Sequence, residues 1–442
     1  MESSISSQSI QPMRSRDALA KRIYNKISWR LFPLVIACYF ISFLDRTNIG
    51  IAQLQMNKQL GLGDAAFGLG AGVFFIAYLI FEVPSNLYMH KVGAKKTIMR
   101  IMILWGLVSI CFMFVQNPTE FLILRFLLGA TEAGFFPGMI LYLTYWYPSE
   151  WRARAVAIFI VAQPASGLVG APLGGWILKA FDHVGGLSGW RWLFFVEGVP
   201  AVILGIAVLW LLADGPRQVK WLTEDEKNFV IGNLAREHEQ KKTLVPHSLR
   251  ELVRNGRVVL LVVLVFAESM GLYGLTFYLP TLVKGAGIHS SVTIGFITAI
   301  PFLCGMIAMV LVSRSSDRRR ERRWHLSIPF VVSAVGLSAS AVLGGNHTVP
   351  AIIALCVAAA GVYTVSALCW NLPPAFFAGT AAAAGIAAIN SLGNLGGFVS
   401  PYLIGMSQSM GGGTSVGLYI LSAVLVIGAI LTHRIPAHMV NR

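Results

Sequence analysis

The chain has 442 residues, 55% hydrophobic and only 12% charged. A soluble domain carries about 25% charged residues, so two or three soluble domains are excluded as a reading of this length, and one integral membrane unit remains. The net charge of +15 would point to nucleic acid in a soluble protein, but its distribution here is that of a topology signal, and no nucleic-acid partner is expected.

Residues 1–30 are Ser-rich and then basic, and they run into the first apolar stretch without a cleavable signal pattern. Within them, 14–30 spaces Leu19, Ile23 and Ile27 at helical intervals among bases. That reads either as an interfacial amphipathic helix or as a basic lead-in that sets topology. Apolar runs of about 20 residues, long enough to cross a bilayer core of roughly 30 Å as helices, then recur along the chain. They fall near 31–53, 66–88, 97–115, 121–145, 155–179 and 192–212, then 258–282, 292–312, 326–344, 350–370, 382–406 and 415–433. The runs do not alternate as barrel strands do. The expectation is an all-α membrane protein with twelve transmembrane helices.

The largest polar interruption, 213–257, divides the spans six and six. It contains Thr223 and Glu226, spaced as a capping box at the head of a short amphipathic helix. The segment is too small for a catalytic domain and reads as a connector between an N-terminal bundle, 31–212, and a C-terminal bundle, 258–433, with a tail at 434–442. The halves repeat weakly. A short basic link follows the second span (90–100) and the eighth (313–325), and the fifth and eleventh spans are both dense in Gly and Pro. Such residues permit close helix approach and bending, and two homologous six-helix halves around a mid-membrane site are an architecture of secondary transporters.

Of the 35 Lys and Arg, 29 lie in the tails and the alternate loops that share their side, and 4 in the opposite loops. The positive-inside rule then puts both termini in the cytoplasm, with the chain a multi-pass protein of the cell (inner) membrane.

The other two bases lie inside spans. Asp45 and Arg46 are adjacent in the first span, and Arg125 and Glu132 lie in the fourth. Each such charge costs roughly 2.5–3.5 kcal/mol at a helix centre, on the order of 10 kcal/mol for four facing lipid. Two acids and two bases permit full pairing, or all four can face a wet cavity. Arg125, Gly129 and Glu132 share one helix face, with Arg125 and Glu132 two turns apart, roughly 10 Å. Gly129 between them suits a ligand or a close neighbouring helix. Arg46 lies about 100° round from Asp45 and can reach a different partner.

Arg cannot lose its proton and forks onto carboxylates, so Arg46 and Arg125 are candidates for gripping an anion. Buried carboxylates can bind and release protons, so Asp45 and Glu132 are candidate proton carriers. Static ion pairs that only position helices are the alternative. Weaker polar signals are Tyr78 and Glu82 in the second span, Gln163 before Pro164 in the fifth, and Tyr273, Tyr278, Trp370, Asn371, Asn390 and Asn394 in the second half. These can bond a hydroxyl or carboxylate, or pair helices. Glu197 and Glu268 are read as structural groups nearer span ends. The five cysteines read as buried thiols, with no metal spacing. No nucleotide, cofactor or hydrolase motif appears, so neither an enzyme nor a cofactor is expected.

Four segments carry a resemblance: "FLDRTNIGIA", "RFLLGATEAGFFPGMILYLTYWYP", "GWRWLFFVEGVPA" and "NLGGFVSPYLIG". Across 30–433 the chain resembles the major facilitator superfamily, within it the anion:cation symporter family of organic-acid transporters. The superfamily's loop motif departs from pattern at Asn86 and His90, and its second copy keeps Asp317 and Arg318 but has Arg320 where Gly is usual. The resemblance implies two pseudo-symmetric six-helix bundles and proton-driven uptake of a small organic carboxylate by a monomer in the lipid bilayer. It implies that Asp45 and Glu132 couple protons and that Arg46, Arg125, Tyr78 and Gln163 line the substrate site. Trp370, Asn371, Asn390 and Asn394 would add aromatic and amide selection from the second half. A facilitator or exchanger of the same fold, without obligatory proton coupling, is the second reading.

Overall fold

The computed structural model describes residues 13–241, 256–344, 347–370, 372 and 388–437. Asn371, the start of the expected eleventh span, part of the connector and both chain ends lie outside the described residues. The described chain is helical, with eleven helices long and apolar enough to cross a membrane. They coincide with the first ten expected spans and the twelfth. The expected eleventh is represented by a helical turn at 388–393 and the helix Gly396–Ser409.

The first half comprises α1 (Met13–Leu60), α2 (Asp64–Val92), α3 (Ala94–Cys111), α4 (Pro118–Glu132), α5 (Phe135–Thr144), α6 (Ser149–Ile160), α7 (Ala162–Ala180) and α8 (Gly189–Leu211). After α9 (Glu224–Lys241), the second half comprises α10 (Gly256–Gly285), α11 (Ser291–Arg319), α12 (Arg323–Leu343), α13 (Thr348–Cys369), α14 (Gly396–Ser409) and α15 (Gly413–Thr432).

Two expected spans are broken. The fourth ends at Glu132, where Ala133 turns extended and Gly134 takes φ +85°, and it resumes as α5. Only Gly adopts that backbone without strain, and a Cβ there would also strike Ser85. The fifth is interrupted at Val161, three residues before Pro164, which has no N–H to continue the ladder.

The basic lead-in is not a separate element. It continues into the first span as one 48-residue helix. Its apolar stripe is buried in protein, with Tyr24 against Trp151 and Phe229 and with Ile23 and Ile27 in the core. The capping box forms as expected: the Thr223 N–H donates to Glu226 and the Glu226 N–H to the Thr223 hydroxyl. Glu226 then accepts from Lys26 at 2.7 Å, tying α9 to α1. Cys38 and Cys369 are buried as expected, but Cys304 and Cys356 are half-buried and Cys111 is exposed.

Two bundles meet along three helix pairs: α1 with α10, α2 with α14 and α7 with α11. Counted as spans these are 1 with 7, 2 with 11 and 5 with 8. Exchanging the halves maps the first pair onto itself and the other two onto each other, which is the pairing a pseudo-two-fold axis requires. The glycines of the fifth and eleventh spans make close approach possible. A Cβ on Gly175 would lie 2.4 Å from the Ser291 carbonyl oxygen, and one on Gly405 2.4 Å from that of Asp64. Gly68 against Pro401, Gly295 against Ala171 and Gly50 against Phe277 are equally close, at 2.3–2.5 Å. All five lie in the half of the membrane layer away from α9, so the bundles touch backbone to backbone at that distal end.

Candidate functional site

The charged residues of α1 and α4 meet in the middle of the molecule. Arg46 is ion-paired with Glu132: NH2 stands 2.7 Å and Nε 2.9 Å from the same oxygen, Oε1. That oxygen also accepts from the Ser42 hydroxyl at 2.7 Å. The other oxygen of Glu132, Oε2, is buried with no partner. NH1 of Arg46 crosses to the second bundle and donates to the Tyr273 hydroxyl at 2.9 Å. The guanidinium lies over Phe74 (5.2 Å) and Tyr78 (5.4 Å), and the Tyr273 ring is 4.4 Å from Phe75. The central cation is thus bounded by aromatic faces, which favour a cation and leave little water to compete for it.

Asp45 takes the partner on the other side of α1. It accepts from the Ser109 hydroxyl of α3 at 2.6 Å through Oδ1, and its Oδ2 is buried and unpartnered. Asp45 therefore makes no ion pair among the described residues, and full pairing of two acids with two bases is not what is built.

Arg125 holds no carboxylate within ion-pair distance either. Its Nε donates to the Gly70 carbonyl at 3.0 Å and NH2 to that of Ala71 at 3.1 Å, with the guanidinium 5.1 Å from Phe74. The gap at Gly129 is filled by a helix, not left for a ligand: a Cβ there would lie 2.1 Å from the Phe74 carbonyl oxygen. α2 and α4 thus touch at the level of the charges, and Arg125 staples them.

The remaining expected residues distribute as follows. Tyr78 is buried beside Arg46. Gln163 donates to the Tyr39 hydroxyl at 2.7 Å, and its Oε1 accepts from Ser366 of the second bundle at 3.3 Å. Trp370 packs on Phe136 across the bundles, 5.2 Å between centroids. Asn390 donates to Glu82 at 2.7 Å, and Asn394 donates to Asn390 at 3.0 Å. The structure thus brings Arg46, Glu132 and Tyr78 together, places Asp45 and Arg125 near them with neither in an ion pair among the described residues, and sets Gln163, Trp370 and Asn390 at contacts between bundles.

Tyr273 and Glu82 have direct contacts that their weak sequence signals did not rank. Glu197 and Glu268 lie well inside α8 and α10 rather than near the ends, and both are buried. A groove of about 630 Å³ between α11, α12 and α13 is lined by none of the expected site residues.

Residues 35–401 match the model of the Major Facilitator Superfamily. The chain belongs to that superfamily. It is 45% identical over 94% of its length to a tartrate transporter candidate of Agrobacterium vitis, covering 91% of that protein. It is 43% identical over 96% to a candidate metabolite transport protein, NicT, of Pseudomonas putida, covering 96% of it. The fold matches a crystal structure of a D-xylose-proton symporter with TM-score 0.73 at 15% identity, over 93% of this chain and 99% of that one. The chain is accordingly a multi-pass membrane transporter and not an enzyme.

Proposed function

We propose that this transporter carries a small organic carboxylate together with protons, into the cytoplasm, by alternating access of its two bundles. The observation that carries the reading is the Arg46–Glu132 pair with one buried oxygen of Glu132 left free. Ionised Glu132 occupies Arg46. A proton added at Oε2 removes the negative charge, and the guanidinium becomes available for an incoming carboxylate, which it can grip through two parallel bonds. Proton and anion then load together because ionised Glu132 and the incoming carboxylate compete for the same cation, and the proton takes Glu132 out of that competition. Asp45, with its own free buried oxygen, is the second proton carrier. Arg125 adds fixed positive charge near both carboxylates, and Tyr78, Tyr273 and the Gln163 and Trp370 contacts line the way between bundles.

The names of the relatives support a hydroxy diacid or a similar compact carboxylate as substrate. Both termini are assigned to the cytoplasm of a cell membrane protein, on the basis of the 29 to 4 distribution of Lys and Arg.

The test is electrical. Purified protein in liposomes is given tartrate, phthalate, nicotinate and several sugar acids while transport current is recorded. A current for one anion that grows as external pH falls supports symport and names the substrate class. Exchange of labelled anion with no dependence on a pH gradient would overturn proton coupling.

A further inference from the structure

We propose that Glu82 is a further proton-binding site, on its Oε2 atom, built into the contact between the two bundles. The inference rests on the symport reading for its role in transport, though not for its chemistry.

Glu82 lies on α2 toward the α9 end of the membrane layer and is 0% exposed. Both of its oxygens are held by the opposite bundle. Asn390 Nδ2 donates to Oε1 at 2.7 Å and the Ser391 hydroxyl to Oε2 at 2.8 Å. No Lys, Arg or His lies within ion-pair distance among the described residues. The charged and titratable groups around it are few. Arg46 on α1 acts on it from beyond direct contact and is engaged with Glu132 of α4, Tyr78 stands one turn away on its own helix, and Arg125 of α4 is bonded to carbonyls. Arg100 of α3 donates to Ser85, one turn further along α2. The 388–393 turn and α14 face Glu82 only with amides and hydroxyls. A buried carboxylate held by neutral donors alone, between two bodies that must part, is costly to keep charged.

The two donors differ in what they can do. The Asn390 amide is fixed, because its own oxygen accepts from Asn394 at 3.0 Å and so turns its NH2 toward Glu82. The Ser391 hydroxyl can rotate. When a proton from water bonds to Oε2, that O–H donates to Ser391 Oγ, the serine hydrogen turns away, and the Asn390 bond to Oε1 is unchanged. The site accepts a proton without losing either contact, and the negative charge between the bundles is removed. Along the same pair of helices the distal contacts are glycine against backbone, so Glu82 is where the α2–α14 seam responds to protons.

The direct test is infrared spectroscopy of the reconstituted protein across a pH series, following the stretching band of protonated carboxyl groups. Glu82→Gln keeps both hydrogen bonds and removes the ionisation. A component that titrates in the wild type should be missing in this variant and present in Asp45→Asn. Ser391→Ala should retain the component but move its midpoint. Titrating intensity that is the same in Glu82→Gln as in the wild type would overturn the proposal, as would a midpoint unmoved by Ser391→Ala. Reversal potentials in liposomes read the consequence: Glu82→Gln should couple one proton fewer per anion. An unchanged ratio would overturn the role in transport. A wild type that couples no protons would sink the symport reading instead, with the infrared result still deciding the site.

Discussion

At the scale of single residues, the Arg46–Glu132 pair makes two opposed demands on the protein. It is almost fully buried, with side chains 10% and 0% exposed, so its worth is set by desolvation as much as by attraction. Removing one partner strands the other. Arg46→Gln should therefore destabilise by about 3–5 kcal/mol, and adding Glu132→Gln should return part of that, with an interaction energy of about 0.5–3 kcal/mol in unfolding of the detergent-solubilised protein. Additive effects would mean the pair is not coupled. Glu132→Gln alone leaves Arg46 permanently available. It should preserve anion exchange across the membrane while abolishing accumulation driven by a pH gradient, and accumulation that survives unchanged would refute proton carriage by Glu132. The sequence exposed these residues because charges in apolar runs are rare and expensive. It did not expose their partners. Arg125 bonds two main-chain carbonyls, which no reading of side-chain types can find, and Glu82 meets an asparagine 308 positions away.

At the scale of elements, the spans were legible because each is a long apolar run, and the capping box because its two residues are local. The breaks at Ala133–Gly134 and Val161 were not, since a single Gly or Pro is compatible with either a bend or a stop. The lead-in admits two readings because its apolar stripe fits lipid and protein equally well. What decides the matter is α9, which supplies Phe229 and the Glu226 carboxylate to cover it. Burial by itself pushes the Glu226 carboxyl up, but the Lys26 ammonium and the Thr223 N–H outweigh it and hold the carboxyl below its usual range. A group whose pKa is depressed by folding stabilises the fold above its unfolded value, about 4.3 for Glu, and loses that contribution as pH falls through the lower folded value. The docking of α9 on α1 should therefore loosen in acid below about pH 4, seen as faster amide hydrogen exchange in α9 before any other helix. Lys26 is 40% exposed, so Lys26→Gln should cost less than about 1 kcal/mol and remove most of the acid dependence. Exchange in α9 that is flat across this range would mean apolar contacts alone hold it.

At the scale of the whole molecule, the repeat of halves was visible as two Gly- and Pro-dense spans. Which spans touch was not, because a glycine shows only that something approaches closely. The structure supplies the answer in the five backbone contacts at the distal end, where α2 meets α14, α7 meets α11 and α1 meets α10. Nothing bulkier than hydrogen fits there, so closure of this end depends on glycine at each point. Gly68→Val and Gly175→Val would place carbon where Pro401 and Ser291 present carbonyl oxygens 2.4 Å from a Cβ, and main chain cannot move aside as a flexible side chain does. Each variant should still fold, because within each bundle the helix contacts are untouched, but the distal ends should stay parted. Gln53 and Thr281 bridge α1 and α10 in this region at 2.9 Å, which makes Gln53 a suitable reporter. With the five native cysteines replaced and a cysteine placed at 53, a membrane-impermeant thiol reagent added from the distal side should label the glycine variants at least tenfold faster than the parent. Transport should fall in proportion. Labelling that stays slow in both variants, with transport intact, would show that these contacts are incidental packing and that the bundles close elsewhere.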